Sequence, residues 1–192
     1  IDMLDVAELF RTGENTIEML EGGGDFRSAE CMALLDEADI VVTNPPFSLI
    51  REYITTLIEH EKSFVVIAPQ SATKYKETFP LIRGNKMWPG DMAFCVPDDY
   101  EPRETRYWQD ESGQKWRSMG NICWITNLDI RKRHEEMILF RRYRSEDYPS
   151  YTNFDGIDVA KASDIPCDYS GNMGVPITFM NQHNPDQFEI VG

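Results

Sequence analysis

The chain has 192 residues, 41% hydrophobic and 27% charged, with 19 Lys and Arg against 33 Asp and Glu for a formal net charge of -14. That length suits one domain with one sizeable core, and no apolar stretch approaches the roughly 20 residues of a membrane span, which argues against membrane-spanning, fibrous and disordered classes. The negative charge argues against a polyanionic partner, yet ten of the nineteen basic residues fall in residues 103–144, beside six acids, whereas residues 1–61 hold fourteen acids and three bases and residues 145–192 eight acids and one base.

The start at Ile1 rather than Met, and the stop at Gly192 directly after a strand-like Phe188-Glu189-Ile190-Val191 run, give the expectation of a piece of a longer protein. Cys31, Cys95, Cys123 and Cys167 stand far apart, with no Cys-x-x-Cys pair. A reduced, cytoplasmic compartment and no metal site are expected. His60, His134 and His183 are isolated and expected at the surface.

Taken in chain order, Ser28 to Ala38 carries apolar residues at Cys31, Met32, Leu34 and Leu35, a short helix that Ser28 would cap. Ile40 to Thr43 is a β-branched run typical of a buried parallel strand, ended by Asn44-Pro45-Pro46. Ser48 to Glu61 follows with Leu49, Ile50, Tyr53, Ile54, Leu57 and Ile58 as a helical stripe, and Phe64 to Ala68 is a second buried strand. Strand, helix and strand within 30 residues predict a βαβ unit with a right-handed crossover. Ligands bind beyond the carboxyl ends of such strands, so Asn44 to Phe47 and Pro69 to Ser71 are expected at one edge.

From Lys86 onward short aromatic-rich strands are predicted over 86–88, 93–96, 103–108, 115–118, 121–126 and 137–142, mainly antiparallel, with Asp110 to Gln114 as a hairpin turn. Val175 to Met180 is a further strand candidate, and Gly171 to Gly174 a turn. The predicted division is a catalytic core over 1–84 and a β-rich region over 85–192 that completes the core and recognises the target.

Asn44-Pro45-Pro46-Phe47 carries the chemistry. Two prolines fix two φ angles and remove two donors, giving a rigid turn preorganised to accept hydrogen bonds. A planar amino group is a poor nucleophile because its lone pair is delocalised. The Asn44 side-chain oxygen and the Pro45 carbonyl, both accepting from the NH2 hydrogens, favour a pyramidal nitrogen whose lone pair faces an electrophilic methyl. Phe47 would stack on a base taken out of the duplex. The plainer alternative is that Asn-Pro-Pro merely stops a strand.

Asp39 to Phe47 resembles the catalytic motif of amino-methyltransferases, and Gly24-Asp25-Phe26-Arg27-Ser28 resembles the segment that holds the adenine moiety of S-adenosylmethionine. The resemblance is to the EcoRI-type adenine-specific DNA methyltransferases, and it continues through Tyr75-Lys76-Glu77, Phe79 to Ile82, Trp124 to Leu128 and Met173 to Phe179. It implies a Rossmann-like methyltransferase α/β fold, with an antiparallel recognition region, that methylates the N6 amino group of adenine. It also implies that Asp25 accepts from the cofactor's adenine amino group, that Phe26 packs on its ring, and that Asn44, Pro45, Pro46 and Phe47 form the catalytic turn. The glycine-rich cofactor loop of such enzymes is not evident, since Gly22-Gly23-Gly24 follows no apolar strand; it is expected upstream of Ile1, together with the first strands of the sheet.

Trp124 is a candidate second wall for a flipped base, with a core position as the alternative. Arg131, Lys132, Arg133, Arg141 and Arg142, interleaved with aromatics, are candidate contacts to double-stranded DNA; a solvated face balanced by acids is the alternative. Other acceptors that suit the same turn are RNA adenine and protein glutamine, and a non-catalytic DNA-binding or DNA-mimicking module is the alternative from another class.

Overall fold

The computed structural model describes residues 19–90, 95–97, 107–118 and 121–192. Arg103 and Arg106, two of the ten basic residues in 103–144, and much of the strands predicted over 93–96 and 103–108, lie outside them. The chain divides into two compact units, residues 1–38 and 39–192.

In the first unit, helix α1 (Ala29–Glu37) starts as the capping signal predicts: the Ser28 hydroxyl accepts from the Cys31 amide at 3.1 Å. Gly24 has φ +74°, a conformation that favours glycine, and so turns the chain into Asp25.

The second unit opens with β1 (Ile40–Thr43), a short 3-10 turn (Phe47–Leu49), α2 (Ile50–Glu59) and β2 (Ser63–Pro69). Strands β1 and β2 pair in parallel, Ile40 opposite Ser63 and Thr43 opposite Val66, so the predicted βαβ unit is present, although β1, expected to be buried, has no buried residue and leaves Ile40 and Val42 exposed. Helix α2 buries Ile50, Ile54 and Leu57 at helical spacing, and β2 buries Phe64, Val66 and Ala68 at period two. A 3-10 turn (Gln70–Lys74) and the short α3 (Phe79–Arg83) lead to β3 (Trp88–Pro89).

The sheet order is β1-β2-β7-β3, with β7 (Ile122–Thr126) antiparallel to both of its neighbours. The sheet is therefore mixed rather than parallel: within it, among the described residues, β1 and β2 form the one parallel pair, and β7 is the reversed strand between β2 and β3. Two side chains at the end of β7 fasten it. Thr126 Oγ1 donates to the Phe64 carbonyl at 2.6 Å, and the Asn127 amide accepts from the Phe64 N–H at 2.8 Å while donating to the Lys62 carbonyl at 2.8 Å. Asn127 thus satisfies backbone groups at the start of β2 as a neighbouring strand would.

Strands β4 (Cys95–Pro97), β5 (Tyr107–Gln109) and β6 (Lys115–Ser118) form a separate antiparallel sheet in the order β4-β6-β5. The predicted hairpin turn between β5 and β6 is built on Asp110. Its carboxylate accepts from Ser112 Oγ at 2.6 Å, Trp116 Nε1 at 2.6 Å and the amides of Ser112 and Gln114. These bonds, the Ser112 hydroxyl foremost, hold its pKa below the ordinary carboxylate value.

The C-terminal part packs Tyr148, Ile157, Val159, Ile165 and Phe179 into their own buried cluster, beside the parallel pair β8 (Ile157–Asp158) and β9 (Met173–Gly174). Three expectations are corrected here. Residues 137–142 form no strand; a lone bridge joins Arg141 to Pro166. The segment expected as a strand at 175–180 is largely a 3-10 helix (Ile177–Asn181), because Pro176 has no N–H for a ladder and its carbonyl accepts from the Phe179 amide at 2.9 Å. The strand-like 188–191 run pairs with no strand among the described residues.

The histidines differ from one another. His183 is buried, contrary to the surface expectation; its Nε2 lies 2.9 Å from the Phe188 carbonyl, and burial lowers its pKa. His134 is exposed and lies between two carboxylates, Nδ1 2.7 Å from Asp186 and Nε2 2.8 Å from Asp129, which raise its pKa above 6.5, Asp186 most. A raised histidine pKa stabilises fully below the unfolded value and the contribution disappears as pH climbs through the folded one. The melting temperature of His134→Gln is therefore expected to fall short of wild type by more at pH 6 than at pH 9; a gap independent of pH contradicts the charged clamp.

Candidate active site

Asn44 leaves β1 at its carboxyl end. Pro45 is buried and anchors the turn, whereas Asn44 and Pro46 are exposed and Phe47 is 40% exposed. The Pro46 carbonyl is used locally, accepting from the Leu49 amide at 2.9 Å to start the 3-10 turn, and the Ile50 amide returns to the Phe47 carbonyl. The Asn44 side chain and the Pro45 carbonyl have no hydrogen-bond partner among the described residues. The turn thus presents two acceptors and an aromatic face on a fixed backbone.

The expected neighbour is present at the same edge. β2 runs three residues past its pairing with Thr43 and ends at Pro69, where the Gln70 amide donates to the Asn121 carbonyl at 2.7 Å. One link escapes sequence reading: the Arg51 guanidinium, in the first turn of α2, lies 4.1 Å over the Tyr75 ring, and the Tyr75 hydroxyl is 3.2 Å from Ser71 Oγ. This ties the helix behind Phe47 to the turn after β2. The available signal was Arg51 placed one helical turn past Phe47.

Trp124 lies within β7, opposite Ile67 and so on the same sheet face. It is two residues along from Ile122, which faces Pro69 at the carboxyl edge. Trp124 also packs against β3: the Gly90 amide donates to its carbonyl at 2.7 Å, and a Cβ on Gly90 would sit 3.1 Å from the Trp124 Cβ.

The basic residues do not act alike. The turn Arg131–His134 follows Thr126, which pairs with Val65 near the start of β2, at the end of the sheet away from Asn44. Arg131 and Lys132 are exposed, but the Arg133 side chain is 9% exposed, stacks 3.7 Å over Trp88 and donates to Asn85 Oδ1 at 2.6 Å. Arg133 is thus used in packing. Arg141 pairs with Asp164 at 3.2 Å, and Arg142 is exposed.

In the first unit, Arg27 grips the Asp25 carboxylate with Nε at 2.9 Å, Nη2 at 2.7 Å and its amide at 3.0 Å. These hydrogen bonds, the side-chain ones foremost, hold the Asp25 pKa down at about 2. Phe26 is half-buried beside it, with the Arg27 guanidinium 5.5 Å from its ring centre.

Fold and site together define a mixed α/β protein with a proline-fixed acceptor turn at the carboxyl end of a parallel strand pair. The family model described as adenine-specific methyltransferase EcoRI matches residues 1–192, and the chain belongs to that family. Among curated relatives, the type II methyltransferase M.EcoRI of Escherichia coli is 48% identical over 88% of this chain and 55% of its own. The type II methyltransferases M.MgeORF184P of Mycoplasma genitalium and M.MpnI of Mycoplasma pneumoniae are 40% and 37% identical, each over 90% of this chain and 57% of their own. The chain thus spans little more than half the length of these relatives. No solved structure matches it.

Proposed function

We propose that the protein transfers a methyl group from S-adenosylmethionine to the N6 amino group of adenine in double-stranded DNA. The observation that carries this reading is the Asn44–Phe47 turn, with its two acceptors at a strand's carboxyl end, in a chain of this family. Asn44 Oδ1 and the Pro45 carbonyl take the two amino hydrogens, the nitrogen becomes more pyramidal, and its lone pair is directed by a backbone that needs no rearrangement. Phe47 offers its exposed face to the extruded base. Arg131, Lys132 and Arg142 are exposed cations suited to phosphate contacts.

The cofactor supplies the electrophilic methyl. The residues present fit its adenine: the depressed pKa keeps Asp25 an ionised acceptor, its oxygens have lone pairs beyond those Arg27 uses, and Phe26 offers a ring beside it. The finer fold, a Rossmann-like sheet, is supported by the parallel β1-α2-β2 unit with the acceptor turn at the carboxyl end of β1. Cys31, Cys123 and Cys167 are free thiols, which suits a cytoplasmic setting, and no helix among the described residues is long and apolar enough to cross a membrane.

The cofactor assignment is tested with the full-length protein. Asp25→Ala is expected to weaken S-adenosylmethionine binding about tenfold or more in calorimetry, the loss of a charge-assisted hydrogen bond. Because the side chain is exposed, the melting temperature without cofactor is expected to stay near wild type. Unchanged affinity contradicts the assignment.

A further inference from the structure

Among the described residues, three polar side-chain atoms are buried without a hydrogen-bond partner: Trp88 Nε1, Arg133 Nε and Asn181 Oδ1. They come from β3, from the Arg131–His134 turn and from the end of the Ile177–Asn181 helix. All three residues line one small cavity of about 30 Å³, with Pro89, Gly90 and His183 among the other walls. Arg133 is held firmly around this point: one terminal nitrogen bonds Asn85, the other faces Asp129 at 3.9 Å, and the Trp88 ring lies against the guanidinium. Its Nε has no such partner. Buried polar groups left unpaired are costly, and three meeting at one cavity call for a common partner.

We propose that this cavity binds a single water molecule that joins the three elements. Its two lone pairs accept from Trp88 Nε1–H and Arg133 Nε–H, and one O–H donates to Asn181 Oδ1. The donor and acceptor complement selects this ligand. A halide accepts from both N–H groups but sets an anion against the Asn181 oxygen; an ammonium ion donates but accepts from neither; an apolar group satisfies none. The volume exceeds the roughly 10–15 Å³ that one water requires, and three polar partners is the usual number for a buried water. The water links the last strand of the sheet to the turn that carries Arg131 and Lys132, and both to the C-terminal cluster through Asn181.

The test is a crystal structure of the full-length protein at a resolution that shows ordered solvent, with stability measurements on two variants. One density peak is expected within about 2.7–3.2 Å of all three atoms. Trp88→Phe keeps the ring under Arg133 and removes the N–H; Asn181→Leu removes the acceptor. Each is expected to lower the melting temperature by about 2–6 °C. The double variant is expected to lose less than the sum, because either change releases the same water. A xenon atom or an ion in the cavity, direct bonds from these three atoms to other protein groups, or strictly additive losses overturn the proposal.

Discussion

Asn44→Ala in the full-length protein is expected to lower the rate of methyl transfer by at least about 10²–10³-fold, the scale on which removing one preorganised hydrogen-bonding group slows a reaction. The side chain is exposed and bonded to nothing else among the described residues, so its loss is expected to leave the melting temperature and cofactor affinity near wild type. The effect belongs in kcat, because the hydrogen bonds tighten as the amino nitrogen becomes pyramidal. Asn44→Asp keeps acceptor oxygens at the same place and is expected to retain part of the rate. A fall in substrate affinity alone contradicts the role given to Asn44.

The second large effect concerns the platform under that turn. Phe64 is fully buried in β2, its carbonyl accepts from Thr126 and its amide donates to Asn127. Phe64→Ala is expected to cost about 3–5 kcal/mol and to lower the melting temperature by about 10 °C. Phe140→Ala is the control: that side chain is 82% exposed, and a change of no more than about 0.5 kcal/mol is expected in chemical denaturation. Equal losses for both variants contradict the placement of the core.

The parts of the fold legible in the sequence are those where a period is strong and local. Ile50, Ile54 and Leu57 mark one face of α2, the β-branched run marks β1, and the paired prolines mark the turn between them. The illegible parts depend on partners distant in sequence. Met137 to Arg142 has the composition of a strand, but Gln187 holds the Met137 backbone at both its N–H and its carbonyl, so a side chain takes the place of a ladder. Val175 to Met180 is apolar enough for a strand, yet Pro176 turns it into a helix. The reversed direction of β7 is fixed by Thr126 and Asn127 reaching back more than 60 residues to β2.

The candidate site divides in the same way. Asn44, Pro45, Pro46 and Phe47 are contiguous, and the chemistry proposed for them is readable from three letters and an aromatic. The basic stretch is not, because charge in a sequence does not show how a cation is used: Arg133 is taken up by Trp88 and Asn85, Arg141 pairs with Asp164 while staying exposed, and Arg142 faces solvent. His183 likewise carries no sign of burial in the sequence; Phe179 packs beside its ring and the Phe188 carbonyl meets Nε2.

The most direct test of the central claim is the identity of the methylated atom. Full-length protein incubated with duplex DNA and isotope-labelled S-adenosylmethionine, followed by nucleoside digestion and mass spectrometry, is expected to give labelled N6-methyladenine and no labelled cytosine, with the product absent for Asn44→Ala. Label on cytosine, on RNA adenine or a glutamine side chain in place of DNA adenine, or on DNA adenine at an undiminished rate in the Asn44 variant, would contradict the account.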